Sequence, residues 1–445
     1  LRGVLDFTQD GLSAQGLRAD FAGAPVVAQV STQGEGAEAR IRVDATATLD
    51  VTALPSLATL APYASGPAQW RAVWERPGWT ASADQPSAPS ALTLRSDLTG
   101  TELNLPFGLS KPASTALATR IEWQGGPARA QDVHLALGDR LQAHGRWSTA
   151  GTGQLGVHFG ADSAALPEQP VTHVTGSLPV VALDNLSGQD GVGGADWLNR
   201  LPALALVDVE LAAIDVARWQ IPATSVRAEK VDGAWDLRLE GNAAGSGQWQ
   251  SSPQPSLELD LSRLVVDRRP DLPAPTEPAE ETVAPAAETG QRPELRVNAD
   301  TLVAAGATLG ELAFSLTGDG SPSEQARVSI QGEQLDLNVL AQPSDEAANR
   351  KQLRFDLFTD DAGAVLRGLG LPRAMRDGVG EVSGELDWTG PLLSPERSSL
   401  DGEVNLDLRK GALLAIEPGP GRALGLFSLS VLPRRIGLDF SDVVG

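Results

Sequence analysis

Almost every segment of this 445-residue chain alternates, one residue apolar and the next polar. Leu312, Phe314 and Leu316 are separated by Ala313 and Ser315, and Val404, Leu406 and Leu408 by Asn405 and Asp407. Leu257, Leu259 and Leu261 alternate with Glu258 and Asp260, and Ile41 and Val43 with Arg42 and Asp44. A period of two puts every apolar side chain of a segment on one face of a β-strand. Strands buried on both faces would be apolar throughout, so each strand here needs cover on one side only. The 47 glycines and 31 prolines punctuate many short strands. At roughly 8–12 residues per strand the chain holds on the order of 35–40 of them. An open sheet that wide curls or splits. Several separate sandwiches bury the apolar side, and so does one long sheet rolled into a trough with that side inward. Periodicity alone does not choose between the two.

Three regions follow from composition. Residues 1–269 are repeated antiparallel strands, and residues 294–445 continue them. Between them lies PDLPAPTEPAEETVAPAAETGQRP, residues 270–293. It has too little apolar surface to order itself and reads as a flexible, solvated loop. Short helices are expected near 360–369, with Val365, Leu366 and Leu369 inward and Pro372 at the end, and near 422–431. Residues 52–63 suit a further short helix, and residues 191–201 carry a glycine cluster with a helical turn at Trp197-Leu198. The strand from Gly380 to Gly390 turns Val382, Leu386 and Trp388 to its apolar side.

Several chemistries find no footing. Cysteine is absent, which removes disulfides and thiolate metal sites. The formal charge of −22 repels nucleic acid. No apolar run approaches the ~20 residues of a spanning helix. No charged-then-apolar leader opens the chain, and the sole methionine is Met375. Residues 151–156, GTGQLG, match a dinucleotide fingerprint in spacing, but a strand follows them, so no helix N-terminus awaits phosphate. The four histidines, His134, His144, His158 and His173, lack ligand spacing along the chain and read as surface strand residues. Asp360-Asp361 reads as helix-start charge, Arg434-Arg435 as a solvated pair, and the ten tryptophans as packing residues. No catalytic, cofactor-binding or metal-binding residue is assigned.

Two motifs carry a resemblance. The C-terminal one comprises Glu417-Pro418-Gly419, Gly421-Arg422, Leu424-Gly425-Leu426, Ser428-Leu429, Leu432-Pro433-Arg434-Arg435 and Leu438-Asp439-Phe440-Ser441-Asp442. The earlier one comprises Ser96-Asp97-Leu98, Gly100, Leu105-Pro106, Leu109 and Lys111-Pro112. Together, and in this order, they resemble the C-terminal portion of the AsmA-like proteins of the YhdP type. In that family more strand follows the last motif, so the chain looks like an excerpt. The resemblance implies a mainly β fold, an elongated, curled antiparallel sheet forming a U-shaped, taco-like trough, with a few short helices. It implies a Gram-negative envelope protein, anchored in the inner membrane by an upstream helix and crossing the periplasm. Such a protein carries phospholipid acyl chains towards the outer membrane without covalent chemistry, with envelope proteins as further partners. Burying a ~16-carbon acyl chain gains about 13 kcal/mol gross. Lining candidates are Leu312, Phe314, Leu316, Val382, Leu386, Trp388, Val404, Leu406 and Leu408. Two rivals stand beside this reading. One is an assembly scaffold whose sheet edges template other β-proteins, the other a carbohydrate-active β-solenoid enzyme.

Overall fold

The structure, a computed structural model, describes residues 2–8, 11–34, 39–50, 52, 54, 61–77, 89–126, 129–182, 201–216, 219–269, 293–318, 324–344, 350–363, 365, 375–390, 392 and 399–413. Among these, 27 strands dominate. Helical backbone is confined to Ala362, Gly363 and Val365, with isolated tight turns at Thr52 and Ser399. The expected mainly β, mostly antiparallel fold is therefore observed. Many of the described strands run to 10–13 residues, Ser256–Arg268 being 13.

The chain divides into two compact units, Leu1–Val180 with Ser187–Glu210, and Val181–Leu186 with Leu211–Gly445. In the first, each strand pairs antiparallel with the next major one in chain order. The ladder runs through Leu12–Phe21, Ala24–Gln33, Arg40–Leu49, Ala68–Pro77, Ser90–Ser96, Thr119–Gly125, Gln131–Leu137, Leu141–Trp147 and Gly153–Phe159. Thr172–Ala182 then joins Gly153–Phe159 in parallel, so the chain between them crosses back rather than forming a hairpin. That crossing fixes Gly156. A Cβ there would lie 2.0 Å from the Ala165 carbonyl oxygen, so no larger residue fits beneath the returning segment.

The loop carrying the Lys-Pro signature is tied from within. Lys111 is 3% exposed, and its Nζ donates to the carbonyls of Leu98 (3.0 Å), Pro112 (3.1 Å) and Thr101. Three ammonium protons thus meet three backbone acceptors. Burial pulls the ammonium below the ordinary lysine range, with Asp97 pulling the other way. This tie sets Leu98, Leu103 and Leu117 against Ala68 in a small apolar cluster at the strand ends.

The second unit runs through Trp219–Val231, Ala234–Gly241, Ala243–Gln250, Ser256–Arg268, Glu294–Ala304, Ala307–Thr317, Gln325–Gln331, Leu335–Pro343, Arg350–Thr359, Val379–Thr389 and Asp401–Arg409. All these neighbours are antiparallel except Ser256–Arg268 with Glu294–Ala304, which is parallel. The first and fourth strands also touch directly, Trp219 opposite Arg268. The hairpin between them is therefore a wedge, entering where Asn242 bonds Ala223 on one side and Val265 on the other.

The wedge coincides with a change of phase. Leu257, Leu259 and Leu261 share a face with Leu264, not with the next odd residue, and Leu295, Val297 and Ala299 share theirs with Leu302. Ser262-Arg263 and Asp300-Thr301 fill the two skipped positions. Neighbouring strands absorb the extra residue as bulges at Ala244/Gly245 and at Ala299/Leu302. A bulge lets a strand bend while its apolar residues stay on one side.

Of the expected helices, only the start of the one near 360–369 is described, where Ala362 and Val365 are buried. The remainder of that helix, most of residues 52–63, most of residues 191–201, nearly all of the 270–293 stretch, the 422–431 helix and the whole of the C-terminal motif lie outside the described residues. Replacing Lys111 with alanine would strand three carbonyls at the loop. Lys111→Ala should lower unfolding free energy by about 3 kcal/mol, read as a fall in the urea midpoint; an unchanged midpoint would show that the amine is not what ties the loop.

Candidate functional site

Register turns the alternation into surface. In the second unit, direct cross-strand partners run Leu237, Gly247, Leu259, Val297, Phe314, Val328, Val339, Phe355, Gly384 and Val404. A neighbouring row runs Leu239, Gly245, Leu261, Ala299, Leu312, Ile330, Leu337, Leu357, Val382 and Leu406. Each row crosses ten strands and contains only apolar residues and glycine. Directly opposed side chains stand about 4.5–5.5 Å apart at Cβ, so each row is continuous. At Gly384 the gap is closed from the side. A Cβ there would lie 2.8 Å from the ring of Phe355, which lies across the glycine.

The margins of this face are closed and its middle is only partly so. On one side Leu316, Leu353, Leu386 and Trp388 pack with Leu392 and Leu400. On the other, Leu302, Leu309 and Leu335 pack with Val365. Between the margins, Leu312, Phe314, Val328, Val339, Leu337, Leu357 and Val382 are half-buried, while Leu261, Ala299, Ile330 and Phe355 of the same rows are buried. On the last strand of the ladder Leu406 and Leu408 are exposed, at 41% and 36%.

The first unit repeats the arrangement. Ala14, Val30, Val43, Trp74, Leu92, Trp123, Val133, Gly145 and Leu155 form one row over nine strands. Leu94, Ile121, Leu135, Ala143 and Val157 belong to the row beside it. Trp74, Leu92, Trp123 and Val133 are again half-buried.

The opposite faces are polar and laced with pairs. In the second unit Arg296 Nη1 donates to Glu258 Oε1 at 2.6 Å, Asn298 Nδ2 to Asp260 Oδ1 at 2.8 Å and Arg354 Nε to Glu385 Oε2 at 3.1 Å. In the first, Arg71 Nε donates to Asp44 Oδ1 at 3.0 Å, and this bond holds the Asp44 carboxyl below its usual range against the opposing effect of burial. The Arg409 guanidinium does the same for Asp407. Such exposed pairs are screened by water and add little to stability. Their larger effect is on orientation, because turning this face inward would strand charges.

All nine candidate residues fall on the apolar face of the second unit. They do not play one role. Leu316, Leu386 and Trp388 are closed off within the margin cluster. Leu312, Phe314, Val382 and Val404 are half-buried in the middle rows, and Leu406 and Leu408 are open. Val297, Val328, Val339, Leu337 and Leu357 share those rows and were not among the candidates, nor was any residue of the first unit. The same alternation marks them, and pairing consecutive strands through their turns would have found them. Among the described residues, no helix is long and apolar enough to cross a membrane.

What this surface can do is bind apolar matter with little discrimination. Leucine, valine, isoleucine and phenylalanine offer dispersion contacts without directional bonds. A family model described as YhdP protein matches residues 1–445. No curated protein and no solved structure matches.

The split between closed and open positions has a measurable consequence. Leu386, 2% exposed, should lose about 2–5 kcal/mol of stability as Leu386→Ala. Leu406→Ala should change stability by no more than about 0.5 kcal/mol. Equal losses in denaturant titrations of the two variants would contradict the division.

Proposed function

Because the chain belongs to the YhdP protein family, a family of envelope-associated transport proteins rather than a known enzyme family, we propose that it forms part of a hydrophobic conduit for phospholipid acyl chains. In this reading the sheet curls around its apolar face, and lipid tails lie along the middle rows while head groups stay at an open slit in water. The conduit crosses the periplasm and is held at the inner membrane by a helix upstream of the present sequence. It delivers lipid towards the outer membrane.

One observation carries this reading. Two in-register apolar rows cross ten strands of the second unit, with closed margins and a half-open middle. At about 4.8 Å per strand, ten strands extend for about 43 Å. An acyl chain spans half of a ~30 Å bilayer core, about 15 Å. The apolar face of one unit is thus nearly three tails long. Each methylene withdrawn from water gains about 0.8 kcal/mol. Because successive strands offer similar residues, that gain changes little as a tail moves from one strand to the next. A surface of this kind holds lipid without trapping it.

The face assignment gives the test. A photocrosslinking residue at Phe314 or Val328 should label phospholipid in cells, and one at Glu385 or Ser315 should not. Labelling confined to Glu385 and Ser315 would reverse the faces and defeat the proposal. Leu406→Asp with Leu408→Asp should reduce the lipid recovered with the purified chain, and undiminished lipid would remove those two residues from the lining.

A further inference from the structure

The polar face of the first unit gathers what the sequence scatters. In the hairpin Gln131–Leu137 and Leu141–Trp147, His134 stands directly opposite His144, and Asp132 opposite Arg146. The two imidazoles stack, centroids 3.8 Å apart and planes 23° from parallel. Both Nε2 atoms lie 3.0 Å from the same oxygen, Asp132 Oδ1. Arg146 Nε donates to the other carboxylate oxygen at 2.8 Å and so fixes its orientation. Two nitrogens and one oxygen thus converge within 4.8 Å of one another.

From this convergence we propose that Asp132, His134 and His144 form a binding site for a first-row divalent cation of the zinc class. The ligand set decides the class. Imidazole nitrogen with a single carboxylate suits zinc and its neighbours, whereas magnesium and calcium require oxygen-rich shells. The dimensions agree. Tetrahedral zinc with bonds of 2.0–2.2 Å sets its ligands roughly 3.3 Å apart, close to the two 3.0 Å separations. Each ring needs only to carry its proton on Nδ1 to present Nε2 to a cation. The His134 side chain is 53% exposed while those of His144 and Asp132 are 17% and 23% exposed, so the cluster has a sheltered side and an open one. The open side admits the ion and leaves room for water as a fourth ligand.

The site lies on the reverse of the sheet from the apolar row, which passes through Val133 and Gly145 between these residues. A bound cation therefore staples two adjacent strands without obstructing the apolar face, and it stabilises the folded state by mass action. The proposal stands independently of the conduit reading.

The test uses the full chain, stripped with chelator and titrated with Zn2+ by calorimetry and with Co2+ by visible absorption. One equivalent should bind, with the intense bands of tetrahedral Co2+ displaced by Zn2+. His134→Ala, a change at an exposed position, should weaken binding by about tenfold or more with an unchanged circular dichroism spectrum, and Asp132→Asn should weaken it similarly. His158→Ala and His173→Ala should leave it intact. Absence of saturable binding up to millimolar Zn2+ would overturn the proposal. So would equal loss in all four variants, or full affinity retained in His134→Ala.

Discussion

Everything in this fold depends on register. Alternation within one strand says only that the strand has two unlike faces. The faces of neighbouring strands agree only if the pairing is correct, because a slip of one residue turns every side chain over. In the second unit that agreement holds from Leu237 to Val404 across ten strands. A slip anywhere would set Arg296, Glu258 or Arg354 against leucine and valine. The cost of stranding those charges greatly exceeds the contribution of any surface ion pair. The polar pairs on the outer face act mainly as a register lock.

Where the pattern must bend, it does so without breaking the rows. Leu261 to Leu264 and Ala299 to Leu302 skip a position together, and the adjoining strands take up the difference. In the first unit Ala14 and Leu17 do the same around Gly16, whose positive φ of 65° suits a bulge. These are points where curvature is introduced at no loss of apolar continuity. The large side chains then separate by depth. At the margins leucines are sealed by residues outside the strands such as Leu392 and Val365, and in the middle Leu312, Leu337 and Leu357 remain half-buried. One apolar face is thus closed at its edges and partly open in its middle rows.

Much of this was legible from the chain. Period two gave the strands and their inward residues, the family resemblance implied the mostly antiparallel class, and Val382, Leu406 and Phe314 fall on the face the period assigned. Depth was not legible. Leu386 and Leu406 occupy equivalent positions in equally regular strands, yet one is sealed by Leu392 and Leu400 and the other lies open. That difference comes from segments outside the strands. The two parallel junctions were also invisible, since alternation carries no information on strand direction. The phase changes did leave a trace in Ser262-Arg263 and Asp300-Thr301, where two polar residues interrupt the period. The histidine cluster left none along a single strand, because it exists only across a hairpin whose register sets residue 134 beside residue 144.

On the proposed function, the middle rows are covered by lipid rather than by water or by more protein. Native mass spectrometry of the chain purified in mild conditions, compared with the same sample after organic extraction, tests it most directly. The account predicts a heterogeneous added mass that disappears on extraction and is recovered as phospholipid, several acyl chains per polypeptide. A single sharp peak at the bare polypeptide mass before extraction, from a chain that is folded and monomeric, would contradict it.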